Sequence, residues 1–520
     1  MYHFTQTRIP LKIRSALGIR PTLERIAVAL MTVFSEAALH SADSAPAPSE
    51  ATSPAAFAQP LTTPTRSTPL SASQTSATPN VAPQENASTA GFTGWTKPSW
   101  LKELSFGIKE SYDDNLLRVS GKGLPIESSW VTVDSLKLGV DLTALGDGSP
   151  GIIQTLSIFY EPDRADYSQA HSADFTAHHV NTLLNGKSGN LRFSVDDAFL
   201  YNDGNDLAPI YALNQLSNAS ANQNDKYRNA LAHAPSRERL KQIQDRYTAF
   251  VQYDSKYLFL RPISSLNYIN MGTLLFNTSI APYKGYQDYV DRYDINVGTD
   301  IGLKLSPNWA LTLGYRDGYQ YQQQYAEAIN SDQHFSSNHY QRLLFGLEGR
   351  QDGLTVKLAA GPDFRDFNPN TPISDLHTTR IYAEAAITEN FSPTQSITAN
   401  YKDYIFVSST GLVPYEEYTY SLLYHWSATK QLSVDLGVKL FEHNYTLGDD
   451  QAGSAPSLRE DLDYEGVGGL TYAMTPHLIA RIGYNFDDGQ NGLKSLPAKY
   501  APDYRAFKEG VFSSGLQYRF

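Results

Sequence analysis

The chain of 520 residues has no cysteine. That removes any disulfide framework and fits a cell-envelope protein, in which a slow-folding chain gains nothing from stray thiols. It also has no run of the ~20 apolar residues that a helical membrane span requires. The mean hydropathy of −0.38 still allows a span built of strands, since only alternate residues would then face lipid. Positive charge is in deficit, 42 Lys and Arg against 54 Asp and Glu for a net charge of −12, which argues against a nucleic-acid binder. Phosphate loops, dinucleotide fingerprints, His-Glu-x-x-His and a serine in a nucleophile-elbow context are all missing. No cofactor, metal ligand or catalytic residue is therefore expected from motifs. What is abundant is aromatic: 34 Tyr and 23 Phe are the residues that girdle the apolar band of a membrane barrel, with one end of the ring dry and the other wet. A Tyr-rich soluble β-protein is the alternative.

The last nine residues are the most informative. Phe512, Leu516, Tyr518 and the terminal Phe520 share one parity with Ser514, while Ser513, Gly515, Gln517 and Arg519 occupy the other, a strand with one oily and one wet face. This end resembles the C-terminal signal of bacterial outer-membrane β-barrels. The resemblance implies recognition by barrel-insertion machinery and closure of the last strand against the first. The same period of two runs from Leu101 onward: Leu136, Leu138, Val140 and Leu142; Leu191, Phe193 and Val195; Ile295, Val297, Ile301, Leu303 and Leu305; Leu432 through Leu440; Leu478 through Phe486.

Ahead of this lies different material. Arg8, Lys12, Arg14, Arg20 and Arg25 precede the apolar run Ile26 to Phe34, and Ser35 and Ala37 are placed for signal cleavage, so residues 1–37 read as a secretory signal peptide with a long basic lead. Cleavage after Ala42, an uncleaved segment or a mistaken start are the alternatives. Residues 38–95 are rich in Ala, Pro, Ser and Thr and cannot bury enough surface to offset the entropy of ordering; a disordered periplasmic tether is expected.

Within residues 96–520 the connections alternate in length. Short turns fall near 146–150, 186–189, 254–256, 306–308, 351–353, 391–394, 428–430 and 474–477; longer polar stretches fall near 113–128, 167–173, 202–244, 266–287, 323–335, 367–375, 409–414, 446–460 and 487–502. Eight short turns and nine long connections require eighteen strands, so the expected fold is an all-β, transmembrane antiparallel barrel of about that number. The stretch from Tyr257 to Pro262 breaks the alternation, and Pro262 lacks a ladder donor.

The opening strand, Phe106-Gly-Ile-Lys-Glu-Ser running into Tyr112-Asp-Asp-Asn-Leu116, and the central Gly285-Tyr-Gln-Asp-Tyr-Val-Asp-Arg-Tyr-Asp294 and Leu311-Thr-Leu-Gly-Tyr-Arg-Asp-Gly318 resemble the outer-membrane β-barrel porin group of Gram-negative bacteria. That group is related to barrels found with polysaccharide export and surface systems. The resemblance spans residues 101–520 and implies an outer-membrane barrel in contact with lipid and lipopolysaccharide, without catalytic residues to carry over. Homo-oligomers or a periplasmic partner are compatible with it.

With the oily parity outward, the inward candidates for pore lining are Lys137, Asp141, Arg192, Asp196, Arg292, Asp294, Asp300, Lys304, Arg316, Arg342, Glu348, Lys357, Arg365, Arg380, Glu384, Lys402, Asp435, Lys439 and Arg481. Charges there would select the solutes of a water channel; the plainer reading is that they pair across strands and hydrate the interior. The long connection 202–244 carries Arg228, Arg237, Arg239 and Lys241, with helical spacing from Ser236 through Leu240 and Ile243. It is expected to constrict the lumen, as the third loop of porins does, or to lie outside as a flap. Acidic pairs at Asp113-Asp114, Asp203 with Asp206, Asp449-Asp450 and Asp487-Asp488 suit calcium or simply turns. His178 and His179 point to opposite faces, and His425 and His443 lie on the wet parity. Passive passage of small hydrophilic solutes is the leading expectation; polysaccharide export or surface assembly is second, and a barrel hydrolase built from residues distant in sequence is third.

Overall fold

The structure is a computed structural model. It describes residues 97–520 apart from 117–125, 127, 146–150, 170–173, 205–240, 271–273, 277–285, 289–290, 324–335, 370, 372, 374, 408–413, 445–458 and 494–506. The signal peptide, the whole of the tether and the greater part of the expected constriction loop lie outside the described residues.

The strands are β1 (Leu101–Asp113), β2 (Ser129–Asp141), β3 (Ile153–Tyr167), β4 (Phe175–Ser188), β5 (Leu191–Asn202), β6 (Gln242–Asp254), β7 (Leu258–Asn270), β8 (Leu274–Phe276), β9 (Tyr286–Asp288), β10 (Arg292–Lys304), β11 (Trp309–Gln322), β12 (Asn338–Gln351), β13 (Leu354–Phe367), β14 (His377–Ser392), β15 (Gln395–Phe406), β16 (Tyr415–Ser427), β17 (Leu432–Asn444), β18 (Arg459–Ala473), β19 (Leu478–Leu493) and β20 (Phe507–Arg519). β8 and β9 form a separate two-stranded sheet within one long connection; the other strands make a single 18-stranded antiparallel sheet in which each pairs with the next and β20 returns to β1. The barrel is closed.

The expected short turns that lie among the described residues join strand pairs at one end of the barrel, and the strands that lead into the long connections end at the other; 146–150 lies outside the described residues. Among the two-residue turns is Asp352-Gly353, whose φ angles of 48° and 95° give the geometry that matches strand twist. Several expected long connections are shorter than anticipated: Asp487 and Asp488 belong to β19, Leu266 to Asn270 belong to β7, Arg459 and Glu460 to β18, and Ile243 and Gln244 to β6 rather than to a helical stretch. An extended backbone wins there because Gln242 to Asp254 pairs on both sides.

The pleat sorts the residues as their alternation requires. Phe106, Ile108, Val297, Leu303, Phe345, Ile482 and Leu516 are exposed on the outer face, whereas Ser105, Ser111, Asp300 and Arg342 are buried on the inner one. At the seam, Phe106 sits opposite Tyr518 and Tyr112 opposite Phe512, so the terminal aromatics continue the oily band. The Asp-Asp-Asn-Leu motif after β1 stitches this seam. Asp114 N donates to Gly510 O at 3.2 Å, Asn115 Nδ2 donates to Lys508 O at 2.8 Å, and Leu116 packs inside against Val131, Val133, Ala165 and Tyr167.

Pro162, Pro262 and Pro362 all sit within strands. Beside each, one ladder lapses: β2–β3 between Ser135↔Asp163 and Leu138↔Tyr160, β6–β7 between Phe250↔Ile263 and Tyr253↔Leu260, and β12–β13 between Arg342↔Asp363 and Phe345↔Ala360. Each proline turns its missing donor toward the neighbour that lapses while the other ladder runs unbroken past the proline. Register is unchanged across all three gaps, so the inside-outside sorting survives.

Candidate channel lumen

Lumen residues come from alternate positions of each strand, so their neighbours are set by register. Lys137 of β2 reaches Glu103 at 3.6 Å and Glu161 at 3.9 Å. Asp254, beside the short turn after β6, holds Arg192 and Lys304, each at 2.8 Å. On β7 to β12, Arg261 places one guanidinium between Asp300 at 2.9 Å and Glu348 at 2.8 Å, and Arg316 closes on Asp300 at 2.7 Å. Arg365, 1% exposed, donates to Asp363, Gln320 and Asn338 at 2.9, 2.8 and 2.9 Å. Arg342 lies 3.2 Å from the same Asp363, its guanidinium between the rings of Tyr340 and Tyr382 at 4.0 and 4.3 Å. Asp294 accepts from Tyr340 Oη at 2.7 Å and Gln320 Nε2 at 2.8 Å. Charges withdrawn from bulk water in this way are stable only when paired and hydrogen-bonded; the Arg261 network meets that condition, whereas Arg342 is ion-paired with Asp363 but leaves its Nε and Nη2 without a hydrogen bond among the described residues.

The remaining candidates also take inward positions. Lys357 faces Glu384 at 3.9 Å, Lys439 faces Glu465 at 3.3 Å, and Lys402 lies over the Tyr404 ring at 4.2 Å. Asp435 is 2.7 Å from His425, and Asp141 accepts from Thr143 N at 3.0 Å. Asp196 sits opposite Thr248, Arg481 opposite Gly515, and Arg380 opposite Asp363 near the long-loop rim. Among the histidines, His178 is stacked outside between Tyr160 and Tyr201, whereas His179 faces in toward Asp163 at 3.5 Å. His443 approaches Glu417 at 3.3 Å. Of the loop candidates, Arg228, Arg237 and Arg239 lie outside the described residues; Lys241 is exposed immediately before β6. Asp206, Asp449 and Asp450 lie outside the described residues, and among the described residues no group of three or more potential ligands gathers at the other acidic positions.

Arg261 is the hub that sequence reading missed. It sits beside Pro262, and its inward neighbour is Phe259, an apolar residue on the wet face that spoils the alternation. Phe259 fills the notch over Gly302, where a Cβ would lie 2.0 Å from its ring, and carries Arg261 stacked 5.0 Å from its centroid. Parity counted from Leu258 and Leu260, both exposed, would have found it.

At the long-loop end β15 parts from β14 while staying paired with β16 through Phe406↔Tyr415. β14 and β15 pair only as far as Ala383↔Asp403, although β14 extends back to His377 and β15 on to Phe406. Continued register would set Tyr404 against Tyr382 and Ile405 against Ile381. Instead Ile381 is 59% exposed and Ile405 1%. The end of β15 leans into the lumen, where Gln320 Nε2 donates to Ile405 O at 3.2 Å and Arg292 Nη1 to Val407 O at 3.0 Å. Tyr404 and Phe406 cluster with Leu344, Tyr382 and Tyr415, and Ile405 packs with Phe367, Ile373 and Leu376. The guanidinium of Arg292 lies 4.6 Å over the Phe406 ring. This strand end thus places Tyr404, Ile405 and Phe406 inside the barrel.

No family model and no curated protein matches the chain. Among solved structures it is similar to the Pseudomonas aeruginosa protein OccK2 (OpdF), determined in complex with glucuronate, at 9% identity and a TM-score of 0.36 over 81% of this chain and 100% of that one. The outer-membrane protein opdK of the same organism aligns at 9% identity and a TM-score of 0.37, again over 81% of this chain and 100% of that one. OccAB3 of Acinetobacter baumannii aligns at 13% identity and 0.38, over 80% and 99%.

Proposed function

We propose that this chain is an outer-membrane channel for passive passage of small hydrophilic solutes. The observation that carries the reading is the closed 18-stranded barrel with an apolar exterior and a charged, hydrogen-bonded interior. A surface of that kind is stable in a bilayer, and a barrel of that strand number encloses water. In this reading the short turns and both termini lie in the periplasm, with residues 38–95 as a tether there, while the long connections face the cell exterior and its lipopolysaccharide. The inward charges line the path; the inward end of β15 and the connection 202–244 narrow it.

Unitary conductance of the refolded protein in a planar lipid bilayer tests this. Stable stepwise currents are expected, with a larger step in a Tyr404→Ala/Phe406→Ala variant and another after deletion of 206–235. Silence from protein shown to be folded by a heat-dependent gel shift would refute an open channel and favour a partner-gated export or assembly barrel.

A further inference from the structure

At the short-turn end of the lumen, three side chains that no motif joins stand in a line. His425 and Ser427 are two residues apart on β16 and therefore share its inward face, while Trp426 between them is exposed on the outside. Asp435 lies directly opposite His425 on β17. His425 Nδ1 is 2.7 Å from Asp435 Oδ1, and His425 Nε2 is 3.1 Å from Ser427 Oγ. The carboxylate accepts only from a protonated Nδ1, which leaves the neutral ring's Nε2 as acceptor for the serine hydroxyl. That is the tautomer and the order of a serine nucleophile, a histidine base and an orienting carboxylate.

From this geometry we infer that Ser427, His425 and Asp435 form a hydrolytic triad for carboxylic esters of short acyl groups on hydrophilic alcohols. Two further features fit. The Ser427 N–H is held by Thr394 O at 2.8 Å, which fixes the serine at the strand end. The N–H of the next residue, Ala428, makes no hydrogen bond to any described residue, and the amide following a nucleophilic serine is one of those that stabilise the oxyanion when it is turned toward it. The neighbours opposite His425 and Ser427 are Ser396 and Ser433; hydroxyls suit a polyol or sugar ester better than a lipid.

The chemistry closes without a co-reactant other than water. Ser427 Oγ bonds to the ester carbonyl carbon as its proton passes to His425 Nε2, and Asp435 steadies the resulting imidazolium. The acyl–alcohol bond breaks, and the alcohol leaves with that proton. Water then attacks the acyl-serine, giving its proton to His425; the acyl–Oγ bond breaks, Ser427 recovers the proton, and the carboxylic acid is released. Ser427 and His425 are the catalytic residues, and Asp435 is a positioning residue.

The test uses the full chain, folded in detergent and in vesicles, with a fluorophosphonate probe and 4-nitrophenyl acetate. The probe is expected to attach to Ser427, as read by peptide mass. Acetate hydrolysis is expected to fall at least about 100-fold in Ser427→Ala, whose conductance should be unaltered, and kcat to fall on the order of 100-fold or more in Asp435→Asn with KM unchanged, because the imidazole loses its orienting acceptor. Folded protein that hydrolyses no faster than Ser427→Ala, or a probe attached elsewhere, overturns the triad. Should the variants not fold, the mapped position of the probe on the wild-type chain decides alone. Conduction is read separately, so a silent channel would leave this result intact.

Discussion

Arg261→Met tests whether the buried ion pairs of the lumen hold the wall together. Arg261 gives Glu348 two hydrogen bonds, of 3.1 and 2.8 Å, and Asp300 two more, of 3.1 and 2.9 Å. Asp300 would keep Arg316 at 2.7 Å, whereas Glu348 would lose the only described cation bonded to it. Breaking a fully buried pair from one side costs about 3–5 kcal/mol because a charge is left uncompensated. Here the side chains are 13% and 19% exposed, so water offsets part of the loss and about 2–3 kcal/mol is expected. Lys357, opposite Glu348 in register and only 3.9 Å from Glu384, is the cation placed to swing in and reduce this further. Urea unfolding in detergent, read as the fraction resisting the heat-dependent gel shift, gives the change. Arg261→Met/Glu348→Gln should recover at least half of it, since no charge then remains stranded. A single variant as stable as wild type, or a double variant no better than the single, would refute the reasoning.

Three other outcomes are expected. Gly302→Ala drives a Cβ to 2.0 Å from the Phe259 ring and should cost about 1–3 kcal/mol of unfolding free energy by overpacking; Phe259→Ala in the same chain should relieve most of that strain. Val297→Arg, on the outer face of β10, should cost about 2–4 kcal/mol of folding into lipid vesicles if the site lies at the bilayer midplane, while Asn296→Arg, one residue away and inward, should fold normally and shift ion preference toward anions. Deleting Phe520, whose N–H donates to Leu104 O at 2.9 Å, should lower the amount of assembled barrel in outer-membrane fractions without affecting synthesis.

The wall was legible because an apolar outer face and a polar inner face impose a two-residue period on nearly every strand, and because the two ends of the barrel differ in loop length. Leu432 through Leu440 could be placed on the exterior from alternation alone, and so could Lys439 on the inside. Legibility fails where a local rule is broken for a distant reason. Phe259 is apolar and inward because it fills the space over Gly302 and supports Arg261, a relation between strands that no window along β7 displays. The inward lean of β15 is likewise invisible, since Tyr404 and Phe406 keep a regular strand pattern; only the acceptors Ile405 O and Val407 O, met by Gln320 and Arg292, show where the strand goes. The triad escapes motif reading because two of its members are spaced as strand neighbours and the third is fixed by a cross-strand register.

Closure between β1 and β20 has a kinetic consequence. Other neighbouring strands in the sheet are also neighbours in sequence, save for the short excursion through β8 and β9, so the wall can zip up hairpin by hairpin from local contacts. The final pairing brings together Ser105 and Gln517, which are 412 residues apart. Joining ends so distant in an unstructured chain costs roughly 3 kcal/mol more than closing a ~15-residue hairpin; a sheet already curled by its seventeen preceding pairings has paid most of that. Until then two open edges persist, each a template for pairing with a second chain. A ribosome that stalls before Phe507 would release a curled sheet that cannot seal, and its fate would be set by proteases and chaperones rather than by the stability of the finished barrel.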